Sequence, residues 1–351
     1  MLFNKRNTTH LRRSSRFSFV ACLLLISLAG ASCSQAKQID VHDPVMTKSG
    51  DRYYLFSTGR GITIYSSLDM LSWKHEGKVF DTQPKWAKAV APGFNGHLWA
   101  PDIVQKDGKF LLYYSVSAFG KNTSGMGVAI NKTLDTSSPD YRWEDQGLIV
   151  QSMPERDWWN AIDPAVVADK KGDGWMAFGS FWGGLKMVKL DASWTKIAEP
   201  QEWYSIAKRQ IQLDENGNDL PQQIEAPFIY PKGDWYYLFV SWGLCCRGDD
   251  STYHLVMGRS KTITGPYLDK NGVSMNKGGG SVFLKGNKRW PGLGHNSVYS
   301  FDGKDYTVLH AYESADKGLQ KLKILEMTWD NEGWPHVDEA DLDNFKGFLS
   351  P

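Results

Sequence analysis

One phrase recurs five times along this chain, and it restricts the fold more than any other feature. "VHDPVMTKSGDRYYLFSTG", "LWAPDIVQKDGKFLLYYSVS", "NAIDPAVVADKKGDGWMAFGS", "IEAPFIYPKGDWYYLFVSWG" and "GHNSVYSFDGKDYTVLHAY" each run from a short apolar segment through a turn into an alternating aromatic strand. The turns fall at Gly50, Gly108, around Gly174, Gly233 and Gly303, where glycine supplies the positive φ of a tight hairpin. Further strand-like pieces follow ("GITIYSS", "GMGVAIN", "GLKMVKL", "YHLVMGRS"), and turns such as "WEDQG" lead into a fourth strand. Self-similarity at roughly sixty residues with about four short strands per copy predicts an all-β, five-bladed β-propeller. A β-sandwich is the runner-up, but it leaves five equivalent hairpins unexplained. No long amphipathic helical pattern competes, although "DLDNFKGFL" offers one short helical turn.

Charge and the chain ends narrow the class. Lys5, Arg6, Arg12, Arg13 and Arg16 form a basic head, followed by the apolar run "FSFVACLLLISLAG" and the small residues Ala29, Gly30 and Ala31. That order predicts a secretory signal peptide over residues 1–36, too short to span a membrane comfortably, with a single membrane anchor as the alternative. "GASC" is a loose lipoprotein box that makes Cys33 a candidate lipid anchor, although Gly30 replaces the usual larger aliphatic residue. "RRSSRF" carries only a faint twin-arginine pattern. Residues 37–351 then form one propeller domain that is secreted, periplasmic or tethered to the cell surface.

Removing the basic head from a chain of formal net charge +1 leaves about −4 with no basic tract, which excludes a nucleic-acid binder by charge. Only Cys245 and Cys246 lie beyond the signal region. Adjacent cysteines cannot staple distant segments, so they are expected as buried thiols, with a strained vicinal disulfide as the alternative. Without a further Cys or suitably spaced His nearby, they do not read as a metal site. Nothing calls for a protein partner, and a monomer is expected.

Aligned on the repeated phrases, Asp43, Asp102, Asp163, Glu225 and His295 follow at intervals of 59, 61, 62 and 70 residues. The innermost strand of each propeller blade lines the axis, so Asp43, Asp163, Glu225 and His295 are expected to converge at one mouth. Asp102 is displaced past its proline and is not counted as catalytic. Carboxylates crowded in a partly desolvated pocket are driven to different pKa values. One remains a base and another keeps its proton, which is the pairing that glycoside hydrolysis needs. Whether the base activates water or a carboxylate attacks directly stays open at this point. Turn chemistry at Asp-Pro and a calcium site are the competing uses of these acids. Fifteen Trp and fifteen Tyr suit either a β core or a sugar-stacking surface.

"VHDPVM", "HLWAPDI", "NAIDPAVV", "FGSFWGGLKMVKL", "IEAPFIY", "LCCRGDDSTYHLVMGRSKTITGPY" and "GHNS" resemble, in order, the signature blocks of glycoside hydrolase family 43. Within that family they are most similar to the endo-α-1,5-L-arabinanases. The resemblance implies a five-bladed propeller and an inverting mechanism on arabinan or its oligosaccharides. It implies Asp43 as the general base, Glu225 as the general acid, and Asp163 as the residue that orients Glu225 and adjusts its pKa. An inverting pair leaves room for water, so Asp43 and Glu225 are expected roughly 6.5–9.5 Å apart. Trp99 resembles a sugar-stacking residue; Asn160 and Ser180 resemble hydrogen-bonding residues of the substrate site. Phe119 and Gly120 resemble a bordering loop, and His42 is placed to contact substrate. His295 matches a histidine that binds an axial ion, often calcium, largely through waters. Gly183 and Gly184 depart from the pattern, where a polar or acidic residue is expected; glycine there is expected to open space or to change a loop near the third blade.

The leading expectation is therefore an endo-arabinanase. Its alternatives are an exo-acting α-L-arabinofuranosidase or β-xylosidase on the same scaffold, and a propeller lectin that binds sugar without cutting it.

Overall fold

The computed structural model describes residues 37–350 apart from 212 and 218–221. The expected signal peptide and Cys33 lie outside the described residues. Among those described, the strands form five antiparallel sheets in which sequence neighbours pair, each sheet contributing one blade. The inner strands are Val45–Ser49, Trp99–Lys106, Ala165–Ala168, Ile224–Lys232 and Leu293–Phe301. Each touches the next, and the fifth touches the first, so the sheets close a five-bladed propeller around an axis. The ring is fastened where Phe348–Leu349, the last strand, adds in parallel to Ser72–Lys78, the outer strand of the first blade. No helix among the described residues is long and apolar enough to cross a membrane. The short helix expected near the end is Glu339–Asn344, capped by the Asp338 side chain on the Ala340 amide.

The second strands explain much of the aromatic content. Arg52–Ser57, Lys109–Val116, Gly174–Phe178, Trp235–Trp242 and Lys304–Glu313 are almost wholly buried, because a neighbouring blade covers each face. The hydrophobic clusters lie between successive blades, and Phe56, Tyr113, Tyr114, Phe178, Tyr237 and Phe239 are fully enclosed in them. Each such side chain contributes roughly 1.5–3 kcal/mol through burial. Asp107–Gly108 and Asp302–Gly303 both have positive φ at two successive residues, the conformation of a two-residue hairpin turn. In the third blade the turn is centred on Gly172 instead of Gly174. Gly174 opens the returning strand, where a Cβ would lie 2.5 Å from the Trp194 indole.

The repeat also has a different register from the one the sequence suggests. Asp43, Ala100, Asp163, Ala226 and His295 all have positive φ, between 47° and 60°. Three of them, Ala100, Ala226 and His295, fall where strand pairing slips. These five are the equivalent positions: three are bulges that bend the inner strand and re-aim a side chain, and Asp43 and Asp163 are left-handed residues just before theirs. Asp102 therefore does not stand at the blade-equivalent position; Ala100 does. Glu225 precedes its blade's bulge residue by one. Ala100 carries no carboxylate and Asp102 stands two residues on, past Pro101, so the acids align in the sequence while the backbone repeat is set by the left-handed residue.

Candidate active site

The amide of each of these five left-handed residues is held by a side chain outside its own blade. Asp43 N–H donates to His310 Nδ1 at 3.1 Å, Ala100 to Thr58 Oγ1 at 2.8 Å, and Asp163 to Ser115 Oγ at 3.1 Å. Ala226 donates to Asp163 Oδ2 at 3.2 Å and His295 to Ser241 Oγ at 2.8 Å. Each acceptor comes from the preceding blade, with the fifth blade serving the first. The ring offsets the cost of left-handed non-glycine backbone, about 1–2 kcal/mol per residue, and fixes the axial side chains around the funnel.

Asp43 is the best-connected of them. Its Oδ1 lies 2.8 Å from His42 Nδ1 and 3.0 Å from His295 Nδ1, and its Oδ2 accepts from the Thr58 hydroxyl at 2.5 Å. Burial alone would raise its carboxyl, but His295 and His42 outweigh burial and hold it well below the usual carboxylate range. The reciprocal effect raises His295 to about 9 and His42 well above an ordinary imidazole, against the opposing pull of burial. His310, buried and facing His42, is pushed the other way and stays neutral.

Glu225 and Asp163 behave oppositely to Asp43. Burial raises Glu225, partly countered by the Ser180 hydroxyl donating to its Oε2 at 2.7 Å. Burial also raises Asp163 well above its usual value, opposed by His295 and reinforced by Glu225. One mouth thus holds an anion beside two cationic imidazoles and a pair of carboxyls that favour their protons. An arrangement with one base and one acid around a common axis suits proton transfer to and from a substrate bond.

Of the other expected residues, Ser180 joins the site through Glu225. Asn160 is buried with its Oδ1 unpaired, a free acceptor next to the Ile162–Asp163 segment. Trp99 is half-buried at the start of its inner strand. Phe119 is 83% exposed, and Gly120 beside it has open space around it; neither makes a contact with the acids. Gly183 does not open the pocket: a Cβ there would meet the Trp158 carbonyl at 2.2 Å, and its amide donates to that same oxygen. Cys245 and Cys246 are free, and Cys246 is exposed instead of buried. Its thiol is lowered to about 5 by the neighbouring Cys245 and by His42, despite partial burial. Asp102, raised to about 7 by burial, accepts from the Val166 amide at 2.6 Å and ties the second blade to the third.

Thr58, Ser115, Ser241, Tyr253, His310 and Tyr312 were not singled out from the sequence. A signal was present: "STG", "YYSVS", "VSWG" and "LHAY" end the second strands, and each places a hydrogen-bonding side chain at the same height. The Tyr253 phenol is raised by burial and then by the neighbouring Glu225 carboxylate, and Tyr253 in turn favours the ionised form of Glu225.

His295 bears on the axial ion. With Nδ1 on Asp43, its Nε2 is the nitrogen left to face a ligand, and a cation bound there would take the place of the proton that the three nearby carboxyls otherwise favour. No set of three close His, Cys, Asp or Glu donors among the described residues includes His295. The residues therefore fit a cation that keeps most of its own water, as a hard ion such as calcium can.

The profile described as "Glycosyl hydrolases family 43" matches residues 37–335. This chain belongs to that family. An extracellular exo-α-(1→5)-L-arabinofuranosidase of Cellvibrio japonicus is 63% identical over 336 residues, covering 95% of this chain and 96% of the relative. The solved structure of a Cellvibrio cellulosa α-L-arabinanase complexed with arabinohexaose superposes with a TM-score of 0.87 at 64% identity, covering 90% of this chain and all of that one. An exo-1,5-α-L-arabinanase from a bovine ruminal metagenomic library gives 0.82 at 44% identity, covering 87% and 98%. These findings overturn the endo expectation for this family 43 member, because two of these three relatives are named as exo-acting. The blocks that suggested an endo enzyme belong to the scaffold and its acids. Whether chain ends or interiors are cut depends on the loops around the funnel, which those blocks do not describe.

Proposed function

We propose that this chain is a secreted, exo-acting α-1,5-L-arabinofuranosidase that removes sugar from the ends of arabinan and its oligosaccharides. The observation that carries the reading is the 63% identity, over nearly the full length of both chains, to an enzyme of that name. The opposed electrostatics of Asp43 and Glu225 support the chemistry. In this reading Asp43, as the anion, takes a proton from a water. Glu225 delivers its proton to the departing glycosidic oxygen. The water oxygen bonds to the anomeric carbon as the bond to the leaving oxygen breaks, so the product has inverted configuration. Asp163 accepts from the amide of the bulge residue after Glu225 and so orients the acid, which burial keeps protonated.

His42, Trp99, Asn160 and Ser180 would line the terminal sugar, and Phe119 with Gly120 the rim. A hydrated cation on His295 would supply positive charge on the axis that steadies the surrounding carboxylates. Residues 1–36 would be removed on export, consistent with the word "extracellular" in the name of the 63% identical relative.

The test is a time course on linear arabinan, with products separated by size and xylan and an aryl arabinofuranoside alongside. One short product of constant size with a slow fall in viscosity is expected. Mixed oligosaccharides from the first minutes would refute exo action, and turnover of xylan alone would refute the arabinan assignment. Proton NMR of the first product checks inversion.

A further inference from the structure

Cys245 and Cys246 take no part in the acid–base chemistry above, yet they lie at its edge. In the sequence they lack a third donor. The fold supplies one: His42, 204 residues from Cys246, brings its Nε2 to 3.7 Å from the Cys246 sulfur. Donor atoms of His42, Cys245 and Cys246 all lie within 4.8 Å of one another. Two sulfurs and one imidazole nitrogen make three of the four ligands of a tetrahedral site, leaving a position for water.

The histidine is also oriented as a metal ligand would be. Its Nδ1 is bonded to Asp43 Oδ1 at 2.8 Å, the carboxylate–histidine pairing that fixes an imidazole and directs its other nitrogen toward a metal. That nitrogen meets the Tyr312 hydroxyl at 3.0 Å, while the same hydroxyl accepts from the Cys246 amide at 2.8 Å. An incoming ion has one hydroxyl contact to replace at Nε2. Cys246 is exposed and Cys245 half-buried, so an ion reaches the site from solvent.

We propose that Cys245, Cys246 and His42 form a binding site for a soft divalent cation of the zinc type at the rim of the funnel, and that its occupancy inhibits turnover. Thiolate and imidazole donors select such an ion over calcium, which takes oxygen ligands. Binding would displace the protons held by His42 and Cys245 and place the ion on the imidazole that touches Asp43. Pinned between the two sulfurs and His42, the ion and its remaining ligand would obstruct the funnel beside Asp43. The inhibition half rests on the proposed role of Asp43; the binding half does not.

The experiment uses the full chain, reduced with a phosphine, and a Cys245→Ser/Cys246→Ser double variant. Cobalt(II) is the spectroscopic probe and zinc the inhibitor. The unmodified chain is expected to take up one equivalent of cobalt with a thiolate charge-transfer band and tetrahedral d–d bands, all lost in the variant. Zinc is expected to inhibit the unmodified chain reversibly, chelator restoring activity. The double variant, active without metal, should require at least about tenfold more zinc. Cobalt bound without a thiolate band would overturn the site. Equal zinc sensitivity of both proteins, or a thiolate band with undiminished turnover, would overturn the inhibition.

Discussion

Three acids around one axis differ because each meets different neighbours. Asp43 faces two imidazoles and a hydroxyl; burial dominates at Glu225 and Asp163, and Glu225 adds to the rise at Asp163. Glu225→Gln keeps the shape but cannot deliver a proton, so kcat on unactivated arabinan should fall about 10²–10⁴-fold, with oligosaccharide affinity retained by calorimetry. Undiminished hydrolysis would remove Glu225 from its role. Ser180→Ala takes away a donor that favours the Glu225 carboxylate. The acid's pKa then rises further, and because activity is lost as pH climbs through it, the alkaline limb of kcat/KM should move to higher pH. Thr58→Val removes a donor from the Asp43 anion, raising the base's pKa. Activity needs that anion, so the acid limb should also move upward; a downward shift in either profile contradicts the assignment.

At the scale of the element, the bulge is the device that makes an inner strand functional. Its left-handed residue is tolerable because the amide is bonded across to the preceding blade. Ser115→Ala leaves the Asp163 amide buried and unpaired, which should cost about 1–3 kcal/mol in urea unfolding. It should also lower kcat, since that amide bond sets the position of Asp163. Ser193→Ala, at an exposed turn, is the control and should change stability by no more than about 0.5 kcal/mol. Equal effects at the two sites would show that the ring of amide bonds is not structural.

Across the whole molecule, closure brings the site together. Asp43 comes from the first blade and His295 from the fifth, so their 3.0 Å contact exists only when the ring is shut. The C-terminal segment shuts it: Gly347, Phe348, Leu349 and Ser350 exchange backbone hydrogen bonds with Ile39, Leu71, Lys37 and Trp73. At about 1 kcal/mol net for each bond, deleting residues 347–351 should lower the unfolding free energy read from urea denaturation by about 4 kcal/mol. Activity should disappear in the same transition as the fluorescence signal. Survival of activity after the blades separate would place the site within one blade.

The sequence by itself determined what is local. Turn glycines, alternating strands and a period near sixty residues specified five hairpin-built blades, and the acids that begin the inner strands were visible as HDP, IDP and EAP. Those features depend on backbone conformations and neighbours a few residues apart. Tertiary structure alone decided the rest. It moved the repeat register from Asp102 to Ala100, because a bulge is a property of paired strands. It joined His310 to Asp43 across 267 residues and Cys246 to His42 across 204, and it turned Gly183 from apparent open space into a close approach to Trp158. Such contacts arise from ring closure, in which residues become neighbours through the blades between them, and no spacing in the sequence encodes that distance.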